Sequence, residues 1–182
     1  MAHPTTLYRF RIDLSDVDRG VYQTLDLRVA QHPSETPAYL LSRILAYALS
    51  YEEGLEFSPG GLSDTEAPAL TVRDLTGGLR VWIEIGNPNP RKLHKAAKAA
   101  DIVKVFTYKD PENLLREMSS NQVHRAEEIE IYSFEPRFLD RLAVHLEKDN
   151  KWSVIQTEGS LSITVRDEVE QGEVQSHRAK RN

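Results

Sequence analysis

The chain of 182 residues contains no cysteine. Disulfide staples and thiolate metal sites are therefore excluded, and stability must come from an ordinary apolar core. A chain of this length is sufficient for one such core. No stretch approaches the roughly 20 consecutive apolar residues that a membrane-spanning helix requires. The start, Met1-Ala2-His3-Pro4-Thr5-Thr6, has neither a basic patch nor an apolar run, so no signal peptide and a cytoplasmic location are expected. An excess of positive charge is also missing: 23 basic side chains stand against 28 acidic ones, a net charge of −5. Non-specific wrapping of nucleic acid usually needs a basic excess, so a phosphate-bearing partner would have to meet a local basic patch.

What is present is regular alternation. Tyr8, Phe10, Ile12 and Leu14 are separated by polar residues, and Val21, Leu25, Leu27 and Val29 repeat the pattern after a turn-forming Ser15–Gly20. Two half-buried strands in a hairpin follow. His32-Pro33 ends the second strand, and Ser34 or Thr36 can cap a helix expected over 38–53. Strands are expected at 69–74 and 79–86, joined around Thr76-Gly77-Gly78. Asn89-Pro90 marks the start of a short helix, with Leu93, Ala96, Ala97 and Ala100 as its buried stripe. Strand 102–106, a helix at 111–122, strand 129–132, a helix from 136 to about 146 and a closing hairpin at 152–165 complete the pattern. The expected architecture is a single α/β domain over 1–169, a central mixed β-sheet flanked by helices. Residues 170–182 are polar and charged and are expected to be a disordered tail.

The chemistry concentrates at Glu84. On the strand 79–86, Arg80, Trp82, Glu84 and Gly86 share one face, and in a sheet covered on both sides Glu84 would be a carboxylate among apolar groups. Such a group demands a cation, a metal ion or a proton. Asp74, ahead of the glycine turn, is the candidate partner acid, and a pair of carboxylates on adjacent strands can hold Mg²⁺ or Mn²⁺ for phosphoryl chemistry. The alternative role for Asp74 is to cap its own turn through its side chain. A two-residue turn would place it opposite Val81 and facing away from Glu84. A three-residue turn would leave the two about 13 Å out of step. Glu66 is the reserve acid, and Glu52 and Glu53 at the end of the preceding helix are further candidate metal ligands. Arg91, Lys92 and Lys95 begin the helix after the Glu84 strand and could face a phosphate. His94 has no partner at metal-ligand spacing, and His32 beside Pro33 is expected to fix a loop.

Several segments together resemble the bacterial YaeQ family: His32-Pro33-Ser34-Glu35-Thr36, Gly61-Leu62 followed by Glu66-Ala67-Pro68-Ala69-Leu70, and Trp82-Ile83-Glu84-Ile85-Gly86, extended by Pro88, the Arg91/Lys92/Lys95 helix and Val105-Phe106-Thr107-Tyr108. The resemblance covers nearly the whole chain outside the tail. It implies a variant of the restriction-endonuclease-like PD-(D/E)XK fold, with Asp74 as first acid and Glu84 as second. The position that the resemblance assigns to a lysine holds Gly86, so Lys92 or Lys95 would have to supply that charge, with Arg91 contacting substrate. Two functions are consistent with these residues: a metal-dependent, nuclease-like phosphodiesterase acting on nucleic acid, or a non-enzymatic binding or regulatory protein on a degenerate nuclease fold.

Overall fold

The computed structural model describes residues 5–181. Residues 1–4, part of the start read above as leaderless, and residue 182, the end of the expected tail, lie outside the described residues. The chain divides into two compact units. Unit 1 comprises Met1–Tyr51 and Phe134–Val174, and unit 2 comprises Glu52–Ser133 and Gln175–Asn182.

In unit 1, β1 (Thr6–Asp16) and β2 (Val21–Gln31) form the expected antiparallel hairpin, with Phe10 opposite Leu27 and Ile12 opposite Leu25. Alternation in both strands puts their apolar residues on one buried face. Helix α1 (Pro37–Leu49) is capped by Thr36, whose hydroxyl accepts from the Tyr39 amide. It ends four residues before the expected Glu53. The Arg19 guanidinium donates to the carbonyls of Ala48 and Tyr51 at the helix end, where Ala48 also accepts the Tyr51 amide. The carboxyl-terminal half of unit 1 supplies α4 (Pro136–Ala143), β8 (Asp149–Thr157), β9 (Ser160–Val165) and β10 (Glu168–His177), of which β10 runs past the unit at Val174. Sheet order in this unit is β2-β1-β8-β9-β10, with β1 and β8 parallel and the other pairs antiparallel. The parallel pairing of the first strand with β8 was not apparent from local pattern.

Strand β10 corrects the expectation of a disordered tail. Polar composition suggested disorder, but Glu168 to Glu173 pair with Val165 to Ser160 on β9. Backbone pairing with β9 holds the strand although few of its side chains are apolar.

Unit 2 contains β3 (Glu56–Phe57), β4 (Leu70–Arg73), β5 (Leu79–Ile85), α2 (Pro90–Ala99), β6 (Ile102–Thr107), α3 (Pro111–Ser120) and β7 (Glu130–Phe134), the last residue of β7 belonging to unit 1. Its strands lie in the order β7-β6-β5-β4-β3; β5, β6 and β7 are parallel, while β3, β4 and β5 are antiparallel. The expected mixed α/β arrangement is thus found in each unit. The core of unit 2 joins Trp82 of β5 and Val103 and Val105 of β6 to Leu93, Ala96 and Ala97 of α2 and Leu114 and Met118 of α3. Trp82 and Glu84 share a strand face, so α2 is packed onto the face that carries Glu84.

Among the described residues no helix is long and apolar enough to cross a membrane.

Candidate functional site

Glu84 occupies the middle of the unit 2 sheet, between β4 and β6, opposite Val105. It is 4% exposed. Both of its oxygens have donors. The Trp82 indole N–H donates to Oε1 at 2.6 Å, and the Lys92 ammonium lies 3.1 Å from Oε2. Burial pushes the Glu84 carboxyl above the usual carboxylate range, while the charge of Lys92 and the Trp82 hydrogen bond pull it the other way.

Local sequence explains how Lys92 arrives. Gly86 leaves β5 with φ +84°, a left-handed conformation in which a side chain is strained. A lysine at this position would meet that strain, and glycine allows the chain to turn at once. Asn89 then caps α2, its Oδ1 accepting the Lys92 amide at 2.8 Å, with Pro90 in the first turn. The cap fixes the start of the helix, and the buried stripe from Leu93 to Ala100 fixes its rotation. Lys92 therefore reaches back over the face of Trp82 and Glu84. Its side chain is 16% exposed.

The other acids separate from Glu84. Asp74 lies at the exposed tip of the β4–β5 connection, where Oδ1 accepts from the Thr76 hydroxyl at 2.7 Å, the Thr76 amide at 2.8 Å and the Gly78 amide at 2.8 Å. These bonds, that from the Thr76 hydroxyl foremost, hold its carboxyl below the ordinary aspartate value. Arg73 pairs with Leu79 beyond a bulge at Val72/Arg73. From Leu79 to Glu84 the strand advances roughly 17 Å, so Asp74 does not join Glu84. Glu52 is paired with Arg80, and Glu53 is exposed. Glu66 is brought to α2 instead: Arg91 and Lys95 each lie 3.3 Å from one of its oxygens, and Lys95 chiefly lowers its pKa. His94 Nδ1 accepts the His124 amide at 3.1 Å, and His32 binds Ser34 in the loop before α1.

The structure thus gathers Glu84 with Lys92, and Glu66 with Arg91 and Lys95. It leaves Asp74, Glu52 and Glu53 elsewhere. Trp82, overlooked as a functional group in the sequence, was marked by its two-residue spacing from Glu84 on one strand face. A divalent cation at Glu84 would need oxygen ligands. Glu84 is already engaged by Trp82 and Lys92, and Glu66 by Arg91 and Lys95, so this donor set does not fit Mg²⁺ or Mn²⁺.

The model of the family described as "YaeQ protein" matches residues 1–175. The chain belongs to the YaeQ family. The YaeQ protein of Escherichia coli (strain K12) is 36% identical over 108 residues, and that of Salmonella typhi is 35% identical over the same length. Each match spans 59% of this chain and 59% of the relative's own length. Among solved structures, the YaeQ protein of Pseudomonas syringae superposes with a TM-score of 0.88 at 30% identity, covering 100% of both chains. The YaeQ protein of Xanthomonas axonopodis pv. citri gives 0.88 at 28% identity, over 97% of this chain and 100% of its own. YaeQ membership accounts for the mixed α/β architecture; it assigns no reaction.

Proposed function

We propose that this chain is a binding protein for the phosphodiester backbone of nucleic acid, with the exposed face of α2 as the contact surface. The single observation that carries this reading is the internal neutralisation of Glu84 by Lys92 and Trp82. A carboxylate satisfied in this way anchors a helix to a sheet. Unit 1 solves the same problem alike: buried Glu35 lies 2.8 Å from Arg43. Helix α2 carries Arg91, Lys92, Lys95 and Lys98 and no acidic residue, in a chain of net charge −5. Arg91, Lys95 and Lys98 are exposed and follow one another at four- and three-residue spacing, a single basic stripe. The pairing of Arg91 and Lys95 with Glu66 is solvent-exposed, hence weak and open to displacement by phosphate.

The nuclease-like phosphodiesterase reading has one observation in its favour: α2 supplies a lysine to the acid that Gly86 leaves without one. The test is fluorescence anisotropy with labelled single- and double-stranded DNA and RNA across a salt series. Wild type should bind at low salt, and replacing Arg91, Lys95 and Lys98 by glutamine should weaken binding and reduce the salt slope by about one per lost phosphate contact. Absence of binding to every probe, or a triple variant that binds like wild type, would overturn the proposal.

A further inference from the structure

Unit 1 holds a second cluster of polar groups, unrelated to α2. His145, Glu168 and Glu170 each offer one ligand atom, and these atoms lie within 4.8 Å of one another. His145 Nε2 is 3.0 Å from Glu170 Oε1 and 3.5 Å from Glu168 Oε2. A tetrahedral ion with bonds of about 2.0–2.2 Å separates its ligand atoms by about 3.3–3.6 Å; the 3.5 Å spacing to Glu168 falls within that range and the 3.0 Å spacing to Glu170 lies just below it.

The surrounding fold holds these groups in place. Glu168, Glu170 and Gly172 alternate along β10 and share one face. A Cβ on Gly172 would overlap the ring of Phe138, so glycine is what lets α4 lie directly on that face. The far end of α4 then delivers Arg141, and the turn after it delivers His145. Arg141 donates from Nε to Glu170 Oε2 at 3.2 Å and from Nη2 to the Gln171 carbonyl at 2.7 Å. One oxygen of Glu170 is thus held by the guanidinium and the other is aimed at His145. An outer hydrogen bond that orients a carboxylate ligand is the usual accompaniment of a metal site. His145 is 14% exposed and Glu170 19%, whereas Glu168 is 72% exposed and leaves one side of the cluster open.

We propose that His145, Glu168 and Glu170 bind a divalent transition-metal ion, Zn²⁺ by class, in a four-coordinate site with one position open to solvent. One imidazole nitrogen with two carboxylate oxygens suits a borderline ion better than Mg²⁺ or Ca²⁺, which prefer all-oxygen sites. In neutral His145 the ring proton moves to Nδ1, which frees the Nε2 lone pair for the ion. The site closes the turn after α4 onto β10.

The test uses the full chain after chelator treatment, titrated with Co²⁺ and followed by visible absorption, then challenged with Zn²⁺. The expected result is one Co²⁺ per chain with the intense bands of four-coordinate cobalt, displaced by Zn²⁺. His145→Gln should weaken binding beyond the roughly 10–100-fold that loss of an outer-shell partner costs. Glu168→Gln, at an exposed position that folding tolerates, should weaken it at least about tenfold. Glu84→Gln, in the other unit, should leave the spectrum unchanged. No saturable binding, a weak six-coordinate spectrum, or equal affinity in wild type and Glu168→Gln would overturn the proposal, as would binding lost on Glu84→Gln and kept on His145→Gln.

Discussion

The Lys92 ammonium lies 3.1 Å from Oε2 of Glu84, delivered from the first turn of α2 to a carboxylate in the middle of a covered sheet. Oε1 of the same group receives the Trp82 indole. The two partners are of different kinds, one a mobile charge on a long stem and the other a rigid ring within the same strand. Together they satisfy a group that burial alone would force to take up a proton. The pair therefore links the orientation of α2, and with it the basic stripe on its outer face, to the centre of the sheet.

Removing one member should cost more than removing both. Lys92→Met leaves a buried carboxylate without its counter-charge and is expected to destabilise the protein by about 3 kcal/mol or more. Lys92→Met with Glu84→Gln should recover a large part of that loss, which a double-mutant cycle by urea denaturation would read as a coupling energy. Additive losses would show that the two groups do not depend on each other.

Trp82→Phe keeps most of the ring and deletes the donor to Oε1. A hydrogen bond to a charged acceptor contributes about 1.5–3 kcal/mol, and a loss in that range is expected from chemical denaturation. The variant should also raise the Glu84 pKa further, because the Trp82 bond favours the ionised form. Carboxyl NMR of Glu84 would measure this directly.

The pH dependence of stability has a definite sign. The folded Glu84 carboxyl holds its proton at a pH where the unfolded chain has lost it. Its contribution is complete below about pH 4.3, the ordinary glutamate value, and is lost as pH rises through the elevated folded value. Urea midpoints of wild type relative to Glu84→Gln should therefore fall with rising pH across that window. A difference that grows with pH would show that Lys92 and Trp82 outweigh burial.

Asp74 should behave in the opposite sense. Its carboxyl is held below the ordinary value by Thr76 and Gly78, so its contribution is present above the ordinary aspartate pKa of about 3.9 and is lost as pH falls through the folded value. Asp74→Ala should lower Tm at neutral pH, with the deficit shrinking in acid. Nucleic-acid affinity should be unchanged, since the residue caps a turn away from α2.

Local pattern revealed much of this fold and less of its site. The β1–β2 hairpin, the Asn89 cap, the buried stripe of α2 and the shared face of Trp82 and Glu84 all follow from periods of two and 3.6 residues. The expectation that Lys92 or Lys95 supplies the charge missing at Gly86 came instead from the family resemblance, and Lys92 lies 3.1 Å from Glu84 Oε2. The parallel β1–β8 pairing did not follow, because contacts between chain ends leave no trace in local alternation. Asp74 was misleading for a related reason: its position along β5 depends on the bulge at Val72/Arg73, a register detail that spacing alone leaves open. Strand β10 was hidden by its composition, and with it the neighbours of His145.

The most direct measurement is a crystal of this chain soaked in Mn²⁺ and examined by anomalous diffraction at Glu84. The expected map has no manganese peak within coordination distance of the Glu84 oxygens, and Lys92 keeps its contact with Oε2. A peak at about 2.0–2.2 Å from a Glu84 oxygen, with Lys92 displaced and a second acid drawn in, would contradict the internally neutralised pair and restore a metal-dependent nuclease site.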